Sequence, residues 1–158
     1  MTYILMTLFV ALAVAADQLV KHITVTGWLQ ENIPGIEGLV RWTYTKNTGA
    51  AWSMFEGQQW LFAGIFLIFT VAIIWEFSKK RWPFKMSERW AIVAVFAGGL
   101  GNMIDRLRLG YVVDMIEVEF IRFPVFNVAD CFITCGCIFL LIHLVFFNKA
   151  FWKDDKKK

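Results

Sequence analysis

Residues 57–77 read GQQWLFAGIFLIFTVAIIWEF, with no charge before Glu76. Crossing the hydrocarbon core of a bilayer takes roughly 20 mostly apolar residues in a helix. The run has that length, holds no proline, and is too long for a sheet strand. Three further runs resemble it. They are Thr2 to Val20, interrupted by Asp17; Trp90 to Ile104, ending at Asp105; and Asn127 to Phe147, with Asp130 in its first turn. The sequence therefore predicts four spans over 2–20, 57–77, 90–104 and 127–147, in one membrane-embedded domain covering 1–158.

Composition points the same way. The chain has 158 residues, 58% of them hydrophobic and 18% charged, with sixteen Phe and eight Trp. Its mean hydropathy is +0.56. A soluble domain averages roughly 45–50% apolar and about 25% charged, and a fold this small must cover a large surface with polar residues. These values argue against a soluble enzyme and against intrinsic disorder. No basic stripe with interleaved aromatics suggests nucleic acid as a partner. The first run carries a small-x-small triplet, Ala13-Val14-Ala15, as in a signal-peptide cleavage site. No Lys or Arg precedes it, so the basic leader of a signal peptide is missing and a retained span is the better reading.

The charges set an orientation. Lys79, Lys80, Arg81, Lys85 and Arg89 fall in 78–89, and Lys149, Lys153, Lys156, Lys157 and Lys158 in 148–158. Together they are ten of the sixteen basic residues. The positive-inside rule places both segments in the cytoplasm, with the N-terminus. Segments 21–56 and 105–126 then lie outside. There Val40, Trp42 and Tyr44 alternate with Arg41, Thr43 and Thr45, and Ile116, Val118 and Phe120 with Glu117 and Glu119. This period-2 pattern predicts half-buried strands in a small outer sheet. Asn32-Ile33-Pro34-Gly35 and Asn47-Thr48-Gly49 supply turn chemistry nearby.

Four aspartates gather on the outer face in this topology: Asp17, Asp105, Asp114 and Asp130. Ionisable groups at membrane depth are expensive, so each is a functional candidate. Each also has a structural reading. Asp17 and Lys21 stand at i and i+4 and suit an interfacial ion pair, with Lys21 snorkelling to the headgroups. Asp105 suits a helix end paired with Arg106. Asp130 fits the third position of a helix capped by Asn127. Asp114 sits among Val112, Val113, Met115 and Ile116 and has no such explanation. Two close carboxylates share one proton. The ionised one then draws a proton from water while the protonated one polarises a carbonyl. Such chemistry needs no metal or cofactor. His22 and His143 lie at opposite ends of the topology, and His143 reads as a packed helix residue. Cys131, Cys135 and Cys137 read as small apolar side chains, without disulfide or metal spacing.

Four segments then carry a resemblance. They are Asp17-Gln18-Leu19-Val20-Lys21; Asn47-Thr48-Gly49-Ala50-Ala51-Trp52-Ser53; Gly98-Gly99-Leu100-Gly101-Asn102-Met103-Ile104-Asp105-Arg106-Leu107; and Tyr111-Val112-Val113-Asp114 with Phe123-Pro124-Val125-Phe126-Asn127-Val128-Ala129-Asp130. In this order and spacing they resemble the lipoprotein signal peptidases, the bacterial signal peptidase II family. The resemblance implies a polytopic α-helical membrane protein with four transmembrane helices and a small extracytoplasmic β-cradle. It implies an aspartic endopeptidase of the plasma membrane that acts on diacylated prolipoproteins. Cleavage falls on the amino side of the lipid-modified cysteine. Its catalytic pair falls on Asp114 and Asp130, with Asn47, Asn102, Asp105, Arg106, Asn127, Asp17 and Lys21 in support.

Further expectations follow. Gly98, Gly99 and Gly101 allow close backbone approach and room for a signal-peptide helix. Asn102 and Arg106, at i and i+4, orient the pair and the substrate. Asp130, at a helix N-terminus, is the base, and Asp114 is the proton donor. Residues 52–60 form a lid, and the protein is a monomer in contact with membrane lipids. The competing readings are a small four-helix transporter and a non-catalytic membrane assembly factor.

Overall fold

The computed structural model describes residues 1–27, 33–50 and 54–152. Four long helices and a small sheet alternate along the chain: α1 (Thr2–Val25), β1 (Ile33–Ile36), β2 (Val40–Asn47), α2 (Gln59–Lys79), α3 (Met86–Leu109), β3 (Val112–Val118) and α4 (Val128–Ile142). A π-helical turn, His143–Phe147, extends α4. Asn32, Ala51–Ser53 and the tail lysines from Lys153 onward lie outside the described residues, as does part of the expected lid.

Among the described residues three helices are long and apolar enough to cross a membrane. They are Thr2–Val25, Gln59–Lys79 and Val128–Phe147, with mean hydropathies of 2.0, 2.1 and 2.2. α2 shows why such a helix needs lipid. Its exposed side chains include Trp60, Ile65, Leu67, Ile68, Val71 and Ile74, and Glu76 is its one buried residue among those described. An apolar surface of that size is unstable in water.

α3 is built on another plan. The sequence ends this run at Asp105, yet the helix continues to Leu109, where Gly110 caps it in the left-handed region at φ 78°. Charged residues do not end α3 because they point into protein, not lipid. Glu88, Arg89, Asn102 and Asp105 are all buried, along with Ala91, Ile92, Val93, Ala97 and Met103. α3 is the central helix, in contact with α1, α2 and α4. Its small residues allow this. A methyl group on Gly98 would overlap the Ala129 carbonyl, and one on Gly101 would lie 2.6 Å from an Asp17 oxygen. Gly98 and Gly101 are therefore filled by the protein's own α1 and α4, not left open for a substrate helix. α1 likewise runs past Val20 to Val25. Phe9 of its first half packs edge-on against Trp90 and Phe132, with centroids 5.7 and 5.9 Å away.

The strands expected around Val40–Tyr44 and Ile116–Val118 pair antiparallel in a sheet of order β1-β2-β3. Phe120 falls beyond β3. Residues 33–36, read as part of a turn, form β1 instead, and the turn follows at Glu37–Leu39. Gly38 supplies its positive φ of 73°. Trp42 pairs with Ile116 and Thr45 with Asp114, so Thr43 and Tyr44 oppose Met115 alone. This bulge kinks β2 beside Asp114 and lets the sheet turn its buried end toward the helices. Val112, Val113, Asp114 and Met115 are all buried there.

Candidate active site

Asn127 organises the centre. It caps α4 reciprocally with Asp130: its Oδ1 accepts from the Asp130 N–H at 2.9 Å, and its own N–H donates to Asp130 Oδ2 at 3.1 Å. This is a capping box, with Asp130 in the position anticipated from the sequence. The Asn127 Nδ2 group is left free to reach across to β3, where it donates to Asp114 Oδ1 at 2.6 Å. It also donates to Asn102 Oδ1 at 3.1 Å. One fully buried asparagine thus links the two carboxyl groups, through its side-chain amide on Asp114 and its backbone N–H on Asp130.

Two further amides complete the frame. Asn102 Nδ2 donates to Asp130 Oδ1 at 2.8 Å. Asn47 Nδ2 donates to Asp114 Oδ2 at 2.9 Å, while Asn47 Oδ1 accepts from Gly49 N–H at 3.0 Å. Each carboxyl oxygen therefore receives a donor from a side chain or backbone that is itself fixed.

Beneath lies a buried ion cluster. Lys21 Nζ is 2.9 Å from Asp17, 3.0 Å from Asp105 and 2.9 Å from Asn102 Oδ1. The i, i+4 pair expected on α1 is present, but it is not interfacial and Lys21 does not snorkel. All three charged side chains are at most 3% exposed. A buried charge is tolerated only when paired and hydrogen-bonded, and each acid also holds a backbone donor. Asp17 accepts from the Ala129 N–H at 2.9 Å, in the first turn of α4. Asp105 accepts from the Val113 N–H at 3.1 Å, next to Asp114. Asp105 thus fixes β3 and Asp17 fixes α4. Asp105 does not form the local pair with Arg106 suggested by their adjacency. Arg106 instead donates to the Gly49 carbonyl at 2.8 Å and lies 4.4 Å from the Phe62 ring centroid.

Sequence reasoning passed over Gln18, whose Nε2 donates to Asp105 Oδ1 at 2.8 Å and to the Gly101 carbonyl at 3.2 Å. Its signal was its place between Asp17 and Lys21, as a polar residue in an apolar run. Phe62, Phe66 and Phe69 were also passed over. They line a cavity of about 450 Å³ that contains Asn102, Arg106, Asp114 and Asp130. Nothing separates them in sequence from other lipid-facing residues of α2.

Burial, opposed by the hydrogen bonds from Asn47 and Asn127 and reinforced by the nearby Asp130 charge, pushes the Asp114 carboxyl up to about 6. Asp114 therefore holds its proton more tightly than a free aspartate does. Among the described residues no three His, Cys, Asp or Glu side chains form a metal-ligand set.

Apolar helices around a buried polar centre, reached by a cavity, define a membrane protein with the architecture of an enzyme. Two solved structures, each described as a bacterial membrane enzyme, share it. One, at 2.3 Å resolution, has a TM-score of 0.82 and 32% identity and covers 97% of this chain and 94% of its own. The other, at 1.9 Å, has a TM-score of 0.79 and 33% identity, with 90% and 93% covered. The family model for signal peptidase (SPase) II matches residues 9–146. A lipoprotein signal peptidase of Streptococcus agalactiae is 41% identical, over 98% of this chain and 96% of its own. That of Enterococcus faecalis is 42% identical, over 95% and 94%. That of Latilactobacillus sakei is 44% identical, over 84% and 89%. The chain belongs to the signal peptidase II family of peptidases.

Proposed function

We propose that this chain is a membrane aspartic endopeptidase that removes the signal peptide from diacylglyceryl-modified prolipoproteins. The cut falls on the amino side of the lipid-bearing cysteine. The observation that carries the reading is that Asp114 and Asp130, bridged by Asn127, both line the cavity walled by Phe62, Phe66 and Phe69. That wall suits a lipidated, apolar substrate, and the acids lie where its scissile bond would meet water.

The chemistry is general acid–base catalysis by two carboxyl groups. Asp130, ionised and receiving donors from Asn127 and Asn102, takes a proton from water as the water oxygen attacks the carbonyl carbon. Asp114 gives its proton to the carbonyl oxygen. The resulting gem-diol collapses: Asp130 protonates the departing amine, the C–N bond breaks, and Asp114 recovers a proton from the diol. Asn47, Asn102 and Asn127 hold the acids, Lys21 holds Asn102, and Asp17 and Asp105 hold the backbone beside them. Arg106 ties the 47–50 segment to α3.

In this reading α3 also crosses the membrane, as the fourth and protein-enclosed span of one domain covering 1–158. Both termini are cytoplasmic, the sheet and the acids face outward, and the enzyme is a monomer without cofactor. The test is an assay of the purified protein in detergent on a diacylated lipobox peptide. Cleavage before the cysteine is expected, and is lost in Asp114→Asn and Asp130→Asn. Cleavage surviving in both variants, or none in the native protein, ends this reading.

A further inference from the structure

Asp114 borders two cavities, not one. The second, about 780 Å³, runs from Asn47 and Asp114 along the sheet, between the β2–β3 side chains and the 120–125 segment. One wall carries charges that the first cavity lacks, from Arg41, Lys46, Glu117 and Glu119, and faces the 120–125 segment, which is apolar, with Phe120 and Phe123, except at Arg122. Arg41 lies 2.9 Å from Glu117 and 3.7 Å from Glu119, and all three side chains stay about one-third exposed. These charges touch neither the Lys21 cluster nor the paired acids. They suit the sheet side of the cavity to a hydrated polypeptide, whose backbone and side chains can partner the charges.

A peptide cut at Asp114 must leave that point in two directions. Its signal segment and acyl chains match the aromatic cavity. The chain beyond the cysteine is the start of a water-soluble protein and needs a polar path. We propose that the charged cavity binds the first residues of the mature polypeptide in extended form, and that the Arg41–Glu117 pair reads them. The inference rests on the peptidase reading of Asp114 and Asp130. Glu117 stands three positions along β3 from Asp114, which is about 10 Å at the strand rise. An extended substrate covers that distance in three residues, so the third residue after the cysteine is the one placed beside the pair. A polar side chain there hydrogen-bonds the partly exposed ions, whereas an apolar one strips water from them.

The test uses diacylated peptides identical through the cysteine. One ends there as an amide, one continues with six polar residues, and one carries Leu at the third position of that extension. With the native enzyme, the long polar peptide is expected to show about tenfold lower KM than the short one, at similar kcat, the pattern of binding energy used uniformly. The Leu peptide should lose most of that gain. In the charge-exchanged variant Arg41→Glu with Glu117→Arg, which keeps an ion pair in the sheet, adding a lysine or a glutamate at the third position should change KM in the opposite order to the native enzyme. Equal KM for all three peptides in the native enzyme, or an unchanged charge order in the variant, overturns the proposal. So does an advantage of the long peptide that disappears when phosphatidylglycerol is added, which would make the cavity a headgroup site. Failure to cleave any peptide is instead a failure of the peptidase reading.

Discussion

α3 carries a buried cluster of charge at each end, and the two differ in one respect. At the Asp114 end, Lys21, Asp17 and Asp105 support a pair of acids that line a cavity. At the opposite end, Glu88 is fully buried and closed on all sides. Its Oε1 lies 2.8 Å from His143 Nδ1, and its Oε2 accepts from Lys85 N–H at 2.6 Å and Asn148 Nδ2 at 2.7 Å. Beside it, Glu76 and Arg89 pair at 3.0 Å and join α2 to α3. Neither Glu76 nor Glu88 lines either cavity described above. Both clusters satisfy the rule that charge inside a membrane protein must be partnered. A buried ionisable residue is therefore a candidate for function, and the cavity decides between the candidates. The Glu88 cluster is a clamp that holds the 80–85 turn and the π-helical end of α4 against α3. The Asp114 cluster is a frame built to present two acids.

The comparison breaks most easily at the acids. Asp114→Asn or Asp130→Asn should lower kcat on a diacylated peptide by about 10³-fold or more, near the upper range for removing a general acid or base. Glu88→Gln should leave kcat within about twofold. If Glu88→Gln is as inactive while folded, the two clusters are not distinct in function.

The second expectation runs the other way. Glu88→Ala leaves His143, Asn148 and the Lys85 N–H without their shared acceptor. Breaking a buried pair costs about 3 kcal/mol, so the thermal midpoint in detergent should drop by several degrees. A smaller drop than in Asp114→Asn would mean that the clamp and the frame have been assigned the wrong way round.

Within the frame, Asn102→Ala removes the donor to Asp130 and one partner of Lys21. By analogy with the hydrogen-bond partners of metal ligands, whose loss costs about 10–100-fold, activity should fall by about that much. Turnover within twofold of native would remove Asn102 from the site.

The smallest expected effect is in pH. In the proposed mechanism Asp114 must be protonated to polarise the carbonyl, and its carboxyl is raised to about 6. As pH climbs through that value the proton is lost, and kcat/KM should fall by about tenfold per further pH unit. A bound substrate that excludes water favours the neutral form and moves the limb in kcat upward. Asn47→Leu deletes a bond that favours the ionised form and should move it the same way. Site-resolved titration in which Asp114 ionises in the ordinary carboxylate range would reverse the donor and base.

Much of this was legible in advance because it is local. Asn127 and Asp130 are three apart, and a capping box needs only that spacing. Asp17 and Lys21 are one helical turn apart. The alternation at 40–45 and 116–118 is a property of single strands, and the turn at 48–49 needs little more, whereas the turn expected at 32–35 falls at 37–39 because 33–36 pair with β2. The less legible part was direction. Asp105 and Arg106 looked like the end of a span because the sequence does not say which way a helix faces. Arg89 looked like a loop cation until its partner Glu76 appeared on the preceding helix. Gln18 bonds residues more than eighty positions away, and no spacing encodes that.

The sequence by itself determined that this chain lives in a membrane, how its apolar runs are ordered, and which residues carry the family's motifs. The first two follow from hydropathy and from short-range periodicity, which each segment expresses alone, and the motifs from the resemblance carried by residue identity and order. Only the tertiary structure decided that α3 is enclosed, that Lys21 is buried under the site and not in the headgroups, and that Asp114 opens on an aromatic cavity and a charged one. Those depend on what α1, α4 and the sheet place against one another, through contacts between residues far apart in the chain.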